Sequence, residues 1–155
     1  MTTPDDRPRE PEPCLFCRIV DGSKPAVRVF EDDTSVAFLD HRPLFPGHVL
    51  LVPREHHETL AELPEALIEP LFGNAQHLAR AVEVAMAAEG TFVALNNRVS
   101  QSVPHLHVHV VPRRRKDGLK GFFWPRQKYE GEGAMESVAQ AIRTALKALP
   151  ARRRP

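Results

Sequence analysis

The 155-residue sequence contains only two cysteines, one tryptophan and one tyrosine, and aromatic residues make up just 6% of it. Two cysteines cannot build the disulfide framework of a small secreted protein, so we expect a cytoplasmic setting. No apolar run approaches the roughly 20 residues that a membrane span needs, and no secretory signal is visible at the N-terminus. The charges nearly cancel, with 21 Lys+Arg against 20 Asp+Glu. This balance excludes a protein whose nucleic-acid affinity depends on global basicity.

The composition that remains is typical of a globular domain, with 42% hydrophobic and 26% charged residues. A chain of this length buries about two-thirds of the surface that its unfolded form exposes, so it can hold its own core. Proline is abundant, at 15 residues, and four of these lie among the first 13 positions, mixed with charges. We therefore expect a disordered lead over residues 1–13, a folded domain over 14–149 and a basic tail over 150–155.

Short β-branched or aromatic runs, separated by Gly, Pro and Asp, predict strands over residues 27–31, 35–40, 48–53, 91–96 and 105–112. The first three are expected to form an antiparallel meander. Residues 63–89 have apolar positions at helical spacing, with Pro64 in the first turn and Gly90 as a stop, and Pro70 is expected to kink or restart this helix. A second amphipathic helix is predicted over 138–149. The order of elements predicts an α+β fold with a mostly antiparallel sheet.

The densest chemical signal is the sequence PHLHVHVVP at residues 104–112. Because side chains alternate between the faces of a strand, His105, His107 and His109 share one face, and the apolar residues between them face a core. A lone strand histidine is usually a satisfied polar residue. Three at period two are different, because each needs a partner and their protonated forms repel. Two functions fit this pattern, a metal-binding face or a nucleophilic histidine among oriented neighbours.

The Cys14-x-x-Cys17 motif permits three interpretations. A thioredoxin-like dithiol lacks the preceding strand and the βαβ context that such motifs have. A pair of inert buried thiols is the plainest alternative. As half of a zinc site, the motif would need two further ligands from elsewhere in the chain.

These motifs together resemble the histidine triad (HIT) family of nucleotide hydrolases and transferases, whose signature is HφHφHφφ with φ apolar. Other family landmarks are matched in order and spacing by CLFCRI at 14–19, FEDD at 30–33, VAFLD at 36–40 and PGHVLLVP at 46–53. The resemblance covers residues 14–112. It implies a HIT-like fold, a homodimer and a purine nucleotide substrate, whereas membrane and nucleic acid are not expected partners.

The resemblance implies roles for individual polar residues. His107 matches the nucleophile, which attacks the α-phosphorus and forms a nucleotidyl-histidine that water then cleaves. His109 matches a residue that contacts the phosphate, and Gln101 and Ser102 match polar donors to its oxygens and to the leaving group. Asp40 matches the carboxylate that accepts both ribose hydroxyls.

The resemblance also implies an apolar wall for the base. Phe38 is its first candidate, with Phe16, Ile19 and Leu39 as further ones, although each is equally consistent with plain core. Asn96 matches the asparagine of the phosphate site. In the family, the stretch from this asparagine to the glutamine contains glycines, whereas NNRVSQ at 96–101 is shorter and has none. This departure bears on substrate preference more than on chemistry.

The positions that supply structural zinc in bacterial members of the family are matched here by Cys14, Cys17, His56 and His105. His57 is the adjacent alternative ligand. His41 and His77 are expected at the surface, and His48 is typical of the family in position, with no role assigned to it.

A basic segment follows the histidines. Seven Lys/Arg and a single acid lie between Arg113 and Lys128, interleaved with Phe122, Phe123 and Trp124. The segment is either solvated and flexible or a cationic lip that attracts a polyphosphate. Single-stranded nucleic acid could stack on its aromatics, but the near-zero net charge argues against this as the main function.

The sequence therefore predicts a zinc-stabilised nucleotide hydrolase that cleaves an adenylated or related nucleotide at the α-phosphate and releases a nucleoside monophosphate. A dinucleoside polyphosphate hydrolase or phosphorylase is the alternative within enzymes. A nucleotide-binding regulatory protein with little turnover is the alternative from another class.

Overall fold

The computed structural model describes residues 13–119, 127–131 and 133–150. The chain falls into two compact units, divided between Asp117 and Gly118, which are described separately below. Residues 1–12 of the predicted lead, the aromatic residues at 122–124 and residues 151–155 of the predicted tail lie outside the described residues. A single domain over 14–149 stays a prediction.

The first unit contains all five described strands, namely β1 (Arg28–Glu31), β2 (Ser35–Leu39), β3 (Val49–Pro53), β4 (Gly90–Ala94) and β5 (Val108–Arg113). Its helices are α1 (Leu15–Val20), a 3-10 turn (Leu60–Glu62) and α2 (Glu65–Ala85), and the second unit contains α3 (Ala134–Ala148). The strands form one antiparallel sheet in the order β1-β2-β3-β5-β4. This confirms the predicted α+β class, and β1 to β3 form the predicted meander. The six-residue α1 was not predicted, because it is too short to show helical periodicity.

Side chains of the central strands alternate between two apolar layers. One layer packs under α2 and contains Ala37, Val49, Leu51, Leu106, Val108 and Val110. The other packs against α1 and contains Val36, Phe38, Leu50 and Val52. Because both faces of β2 and β3 are covered, their sequences read as nearly continuous apolar runs.

Helix α2 turns one apolar stripe towards the sheet. Leu71, Ala75, Leu78 and Val82 are buried at the spacing that helical periodicity requires. The helix continues through Pro70, so the predicted restart is not observed. Proline removes one backbone hydrogen bond, and the packing of this stripe on the sheet holds the helix together across the gap.

Strand β5 begins at Val108, three residues later than predicted. The N–H of Leu106 donates to the carbonyl of His57 at 2.6 Å, and Nε2–H of His105 donates to the carbonyl of Pro53 at 2.9 Å. These bonds replace regular ladder pairing at the start of the predicted strand. Leu106 and Val108 still lie in the layer under α2, so the predicted alternation of apolar and histidine positions is confirmed. Each other predicted strand or helix end lies within four residues of the observed one.

Helix α3 is the predicted C-terminal amphipathic helix. Its apolar stripe includes Met135, Val138, Ile142 and Leu146, all of which are exposed. Among the described residues, no helix combines the length and the apolar character that crossing a membrane requires.

Candidate active site

One row of side chains runs across the sheet on the face covered by α1 and forms part of the candidate site. Phe38 on β2 is paired with Leu50 on β3, and Leu50 is paired with His109 on β5. Residues paired across antiparallel strands point to the same face, so His109 continues an apolar row. Phe16 and Ile19 of α1 pack over this row.

A cavity of about 650 Å³ opens between α1 and this face. Its volume lies within the range of small-molecule sites, roughly 300–1,000 Å³. The residues that the sequence predicted for nucleotide binding and that line it are Phe16, Ile19, Phe38, Leu39, Asp40, Ser102, His107 and His109. Lys24 to Val27, in the turn after α1, also line the cavity and were not predicted, since no motif marks that turn. His41, predicted at the surface, is exposed and lies at the cavity edge.

His107 is held in one tautomer. It is 3% exposed, and its Nδ1 lies 2.7 Å from the backbone carbonyl of His105. A carbonyl can only accept a hydrogen bond, so Nδ1 carries a proton, and in the neutral ring the lone pair is on Nε2. The ring packs edge-on against Phe16, with centroids 5.1 Å apart, and against His109, at 4.9 Å.

His109 is oriented by His48, which sequence analysis left without a role. The N–H of Leu44 donates to Nδ1 of His48 at 3.2 Å, so the proton of His48 is on Nε2. That Nε2–H donates to Nδ1 of His109 at 2.9 Å, which leaves Nε2 of His109 as a donor. Burial lowers the pKa of His48, and burial, followed by the neighbouring charges of His107 and His48, lowers the pKa of His109 to about 4. Both rings are therefore neutral near pH 7.

Asp40 lies directly after β2 at the cavity edge, and its side chain is 19% exposed. Its Oδ1 accepts from the N–H of Arg42 at 2.8 Å, and its Oδ2 lies 3.6 Å from Nδ1 of His48. The carboxylate is thus a fixed acceptor beside the histidines.

Two predicted residues do not line the cavity. The amide of Gln101 accepts from the N–H of Arg98 at 2.8 Å and donates to the carbonyl of Glu58 at 2.7 Å. The amide of Asn96 donates to the carbonyl of Ser100 at 3.2 Å. The amide of Asn96 therefore bonds within its loop, and that of Gln101 bonds both within the loop and to the segment that contains Glu58.

Four predicted metal ligands come together beside the cavity. The ligand atoms of Cys14, Cys17, His56 and His105 all lie within 4.8 Å of one another. The sulfur of Cys17 is 3.3 Å from Nδ1 of His56 and 3.5 Å from Nδ1 of His105, and the sulfur of Cys14 is 3.5 Å from the same His105 atom. Tetrahedral zinc with ordinary Zn–S and Zn–N bonds separates its sulfur and nitrogen ligands by about 3.5 Å. The donor set and its spacing fit zinc.

The protonation of this cluster also fits a metal. Nε2–H of His105 donates to Pro53, so its Nδ1 faces the sulfurs with a lone pair, and burial lowers the pKa of His105 to about 4. Burial and the neighbouring thiol of Cys14 raise the pKa of Cys17 to about 11. A bound divalent cation reverses that shift, because coordinated thiols are deprotonated. His57 instead lies 3.3 Å from Glu55 and is outside the cluster.

Residues 113–117 of the basic segment, which belong to the first unit, do not line the 650 Å³ cavity. Arg113 pairs with Asp117 at 2.6 Å, Arg114 donates to the carbonyl of Met86 at 2.5 Å, and Arg115 lies 3.4 Å from Glu89. The cationic lip predicted from the sequence is therefore not found over these residues. Residues 120–126 of the segment lie outside the described part of the chain.

Comparison with known proteins agrees with this geometry. The family model of the HIT domain matches residues 21–116, more than half of the chain. The chain belongs to the HIT family. An uncharacterized HIT-like protein of Mycobacterium tuberculosis is 35% identical over 136 residues, which cover 83% of this chain and 94% of that protein. The adenosine 5'-monophosphoramidase of Saccharomyces cerevisiae is 33% identical over 119 residues, which cover 74% of this chain and 72% of the yeast protein.

Solved HIT structures share the fold. A HIT family protein from Bacillus subtilis has a TM-score of 0.78 and 30% identity, covering 91% of this chain and 100% of its own. A zinc-bound histidine triad family protein from Mycobacterium smegmatis has a TM-score of 0.66 and 34% identity, covering 88% of this chain and 97% of its own. The family and the fold predicted from the sequence are thus confirmed.

Proposed function

We propose that this HIT protein is a nucleotide hydrolase that cleaves an adenylated or related nucleotide at its α-phosphate through a nucleotidyl intermediate on His107. The observation that carries the proposal is the 2.7 Å bond from Nδ1–H of His107 to the carbonyl of His105. The bond fixes the tautomer of the neutral ring with the lone pair on Nε2, which is what a nitrogen nucleophile requires, and the buried side chain lines the cavity.

The reaction has two balanced steps. The lone pair of His107 Nε2 forms a bond to the α-phosphorus while the bond to the leaving group breaks, and the leaving group departs with that electron pair and takes up a proton. Water then attacks the same phosphorus and releases a proton to solvent, which balances the proton that the leaving group took from solvent, while the P–N bond breaks and Nε2 regains its lone pair. The products are a nucleoside monophosphate and the free leaving group, an amine or a phosphate compound.

The proposed phosphate contacts come from groups beside His107. Nε2–H of His109 is a donor because His48 fixes its tautomer, and the hydroxyl of Ser102 also lines the cavity. Donors of this kind stabilise the charge that grows on the phosphoryl oxygens in the transition state. We infer that Gln101 and Asn96 support the loop that leads to Ser102, since their amides bond to Arg98, Ser100 and Glu58.

The rest of the cavity suits a nucleoside. The apolar side chains of Phe16, Ile19, Phe38 and Leu39 provide a wall on which a purine can pack. We assign Asp40 to the ribose hydroxyls, since a carboxylate accepts from two donors at once. A nucleic acid strand and a membrane are not part of the proposal.

We assign zinc to Cys14, Cys17, His56 and His105 as a structural metal. Bound there, it supplies a crosslink between α1, the loop after β3 and the histidine segment, and it takes no part in the reaction. The spacing of the donor atoms supports this assignment, and a zinc-bound relative adds to it. A homodimer and a cytoplasmic location stay predictions.

Trapping the intermediate tests the proposal. The protein is mixed with adenosine 5'-monophosphoramidate, quenched in the steady state and analysed by peptide mass spectrometry. We expect one adenylyl group on the peptide that contains His107, and none in His107→Asn. Release of AMP without any adduct, even under rapid quench, would contradict the covalent mechanism, and binding without release of AMP would favour a regulatory protein.

A second assay identifies the substrate class. The named activity of the yeast relative, a phosphoramidase, favours an amine leaving group. We therefore expect a higher kcat/KM for the phosphoramidate than for diadenosine tetraphosphate. The reverse order would favour a dinucleoside polyphosphate hydrolase, and a requirement for inorganic phosphate would favour a phosphorylase.

A further inference from the structure

We propose that Gln101 is a positioning residue, which clamps the loop of residues 97–101 to residues 58–62 and thereby sets Ser102 against the phosphate. The inference rests on the proposed function, because it concerns how the same site is assembled. The side chains that form the clamp do not line the cavity.

Gln101 makes the central link of this clamp. Its Oε1 accepts from the N–H of Arg98 at 2.8 Å, and its Nε2 donates to the carbonyl of Glu58 at 2.7 Å. One amide thus closes the loop on itself and ties it to a neighbouring segment. Nε2 keeps a second N–H, but the two bonds hold the side chain in the contact between these segments, and Gln101 does not line the cavity.

Two further side chains make parallel links. Oδ1 of Asn97 accepts from the N–H of Leu60 at 2.8 Å, and the guanidinium of Arg98 lies 2.8 Å from Oε1 of Glu62. The ion pair is exposed at both ends, and the hydrogen bonds of Asn97 and Gln101 also lie at the exposed surface, so the clamp depends on several weak links acting together. The loop is therefore tied to residues 58–62 at three separate positions.

The backbone of the loop explains why such a clamp is needed. Arg98 has a φ of 65° and Ser100 a φ of 59°, in the left-handed region that disfavours residues with a side chain. Glycines adopt this conformation without cost, but the segment 96–101 has none. Residues held in such conformations persist only where their surroundings fix them, and here the fixing bonds are those of Gln101 and its neighbours.

The clamp positions Ser102, which directly follows Gln101 in the chain. Ser102 lines the cavity together with His107 and His109, whereas Gln101 does not. A displacement of a catalytic donor by about 1 Å can lower a rate by a factor on the order of 10². Gln101 therefore acts on the reaction through the placement of Ser102.

A double-mutant cycle tests this with adenosine 5'-monophosphoramidate as substrate. We expect Gln101→Met and Ser102→Ala each to lower kcat/KM by a factor on the order of 10, and the double variant to be no slower than Ser102→Ala by more than about two-fold. Losses that multiply would show that Gln101 acts on the substrate directly and would overturn the proposal. An unchanged kcat/KM in Ser102→Ala would overturn it too.

Two further variants separate positioning from folding. Gln101→Glu keeps the acceptor for Arg98 but loses the donor to Glu58, so it should lower kcat while the melting temperature stays near that of the wild type. A parallel fall of kcat, AMP affinity and melting temperature would indicate a role in folding alone and would overturn the proposal. Activity remaining in His107→Asn would instead overturn the proposed function, and this inference with it.

The ion pair offers a rescue experiment. Arg98→Glu should lower kcat about two- to five-fold, the range expected for an exposed pair, and adding Glu62→Arg should restore it. The matched control is Glu136→Arg, which breaks an exposed pair of 2.6 Å with Arg143 on α3 and should leave kcat unchanged. If Glu62→Arg fails to restore kcat in the Arg98→Glu variant, the ion pair between these residues does not contribute to the positioning of Ser102.

Discussion

Nε2 of His48 and Nδ1 of His109 lie 2.9 Å apart, although 61 residues separate them in the chain. The bond forms because β3 and β5 are neighbours, so that a residue just before β3 reaches a residue within β5. The N–H of Leu44 fixes the tautomer of His48, and His48 in turn fixes that of His109. A backbone amide thus decides which nitrogen of His109 carries the proton at the cavity.

The first prediction concerns this relay. His48→Ala should lower kcat about five- to ten-fold, because one hydrogen bond worth about 1 kcal/mol no longer orients His109. Steady-state kinetics with the phosphoramidate measures the effect. His77→Ala is the matched control, because that histidine is exposed on α2 and packs only against Phe30 among the described aromatic contacts. Equal kcat values for His48→Ala and the wild type would show that the tautomer of His109 does not matter.

The second prediction concerns the nucleophile. His107→Ala should lower kcat by a factor on the order of 10⁴–10⁶, as loss of a nucleophile does in other covalent enzymes. Binding of AMP, measured by calorimetry, should change little, because the apolar wall and Asp40 lie on other elements. A variant that keeps the wild-type kcat would refute the assignment of His107.

Much of this site could be predicted from the sequence, because its signals are local. The spacing of His105, His107 and His109 determines their common face, and the short Cys14-x-x-Cys17 motif places two sulfurs on one turn. The apolar runs of β2 and β3 likewise reveal strands that are buried on both faces.

What could not be predicted depends on contacts between distant parts of the chain. The partner of His48 follows from the register of β3 with β5, and no local pattern encodes that register. The bonds of Gln101 to Arg98 and Glu58 depend on how two loops meet, and no local pattern encodes that contact. The late start of β5 has a similar cause, since His105 bonds to Pro53 through its side chain.

The third prediction concerns the metal. The purified protein should contain about one zinc per chain by elemental analysis, and Cys17→Ser should lose it. Because structural zinc contributes folding free energy, that variant should melt at a lower temperature, by roughly 6–12 °C for a loss of about 3 kcal/mol. His57→Ala is the matched control, since His57 neighbours the ligand His56 but lies outside the cluster, and it should retain zinc. A zinc-free protein whose melting temperature is unaffected by Cys17→Ser would contradict the zinc site and favour the alternative of two inert buried thiols.

The last prediction concerns acid stability and Asp32, which joins the turn between β1 and β2 to α2. Its Oδ1 accepts from the N–H groups of Thr34 and Ser35, both at 2.8 Å, and its Oδ2 accepts from Nδ2 of Asn74 at 2.6 Å. Burial alone would raise its pKa, but these hydrogen bonds outweigh burial and lower the pKa from 3.8 to about 2. A carboxylate with a lowered pKa stabilises the fold fully above its unfolded value, and this contribution is lost as the pH falls from 3.8 towards 2.

Asp32→Asn should therefore lower the free energy of unfolding at pH 7 by about 1–3 kcal/mol, since any orientation of the new amide brings its NH₂ group against another donor. The difference from the wild type should shrink between pH 5 and pH 3, because the wild type loses its own advantage there. Urea unfolding at several pH values measures both free energies, and comparing their difference cancels the acid sensitivity of other buried groups, such as His105. Asp33→Asn, which changes the adjacent exposed carboxylate, should cost little at any pH. A difference between Asp32→Asn and the wild type that stays constant down to pH 3 would mean that the charge of Asp32 does not contribute to stability.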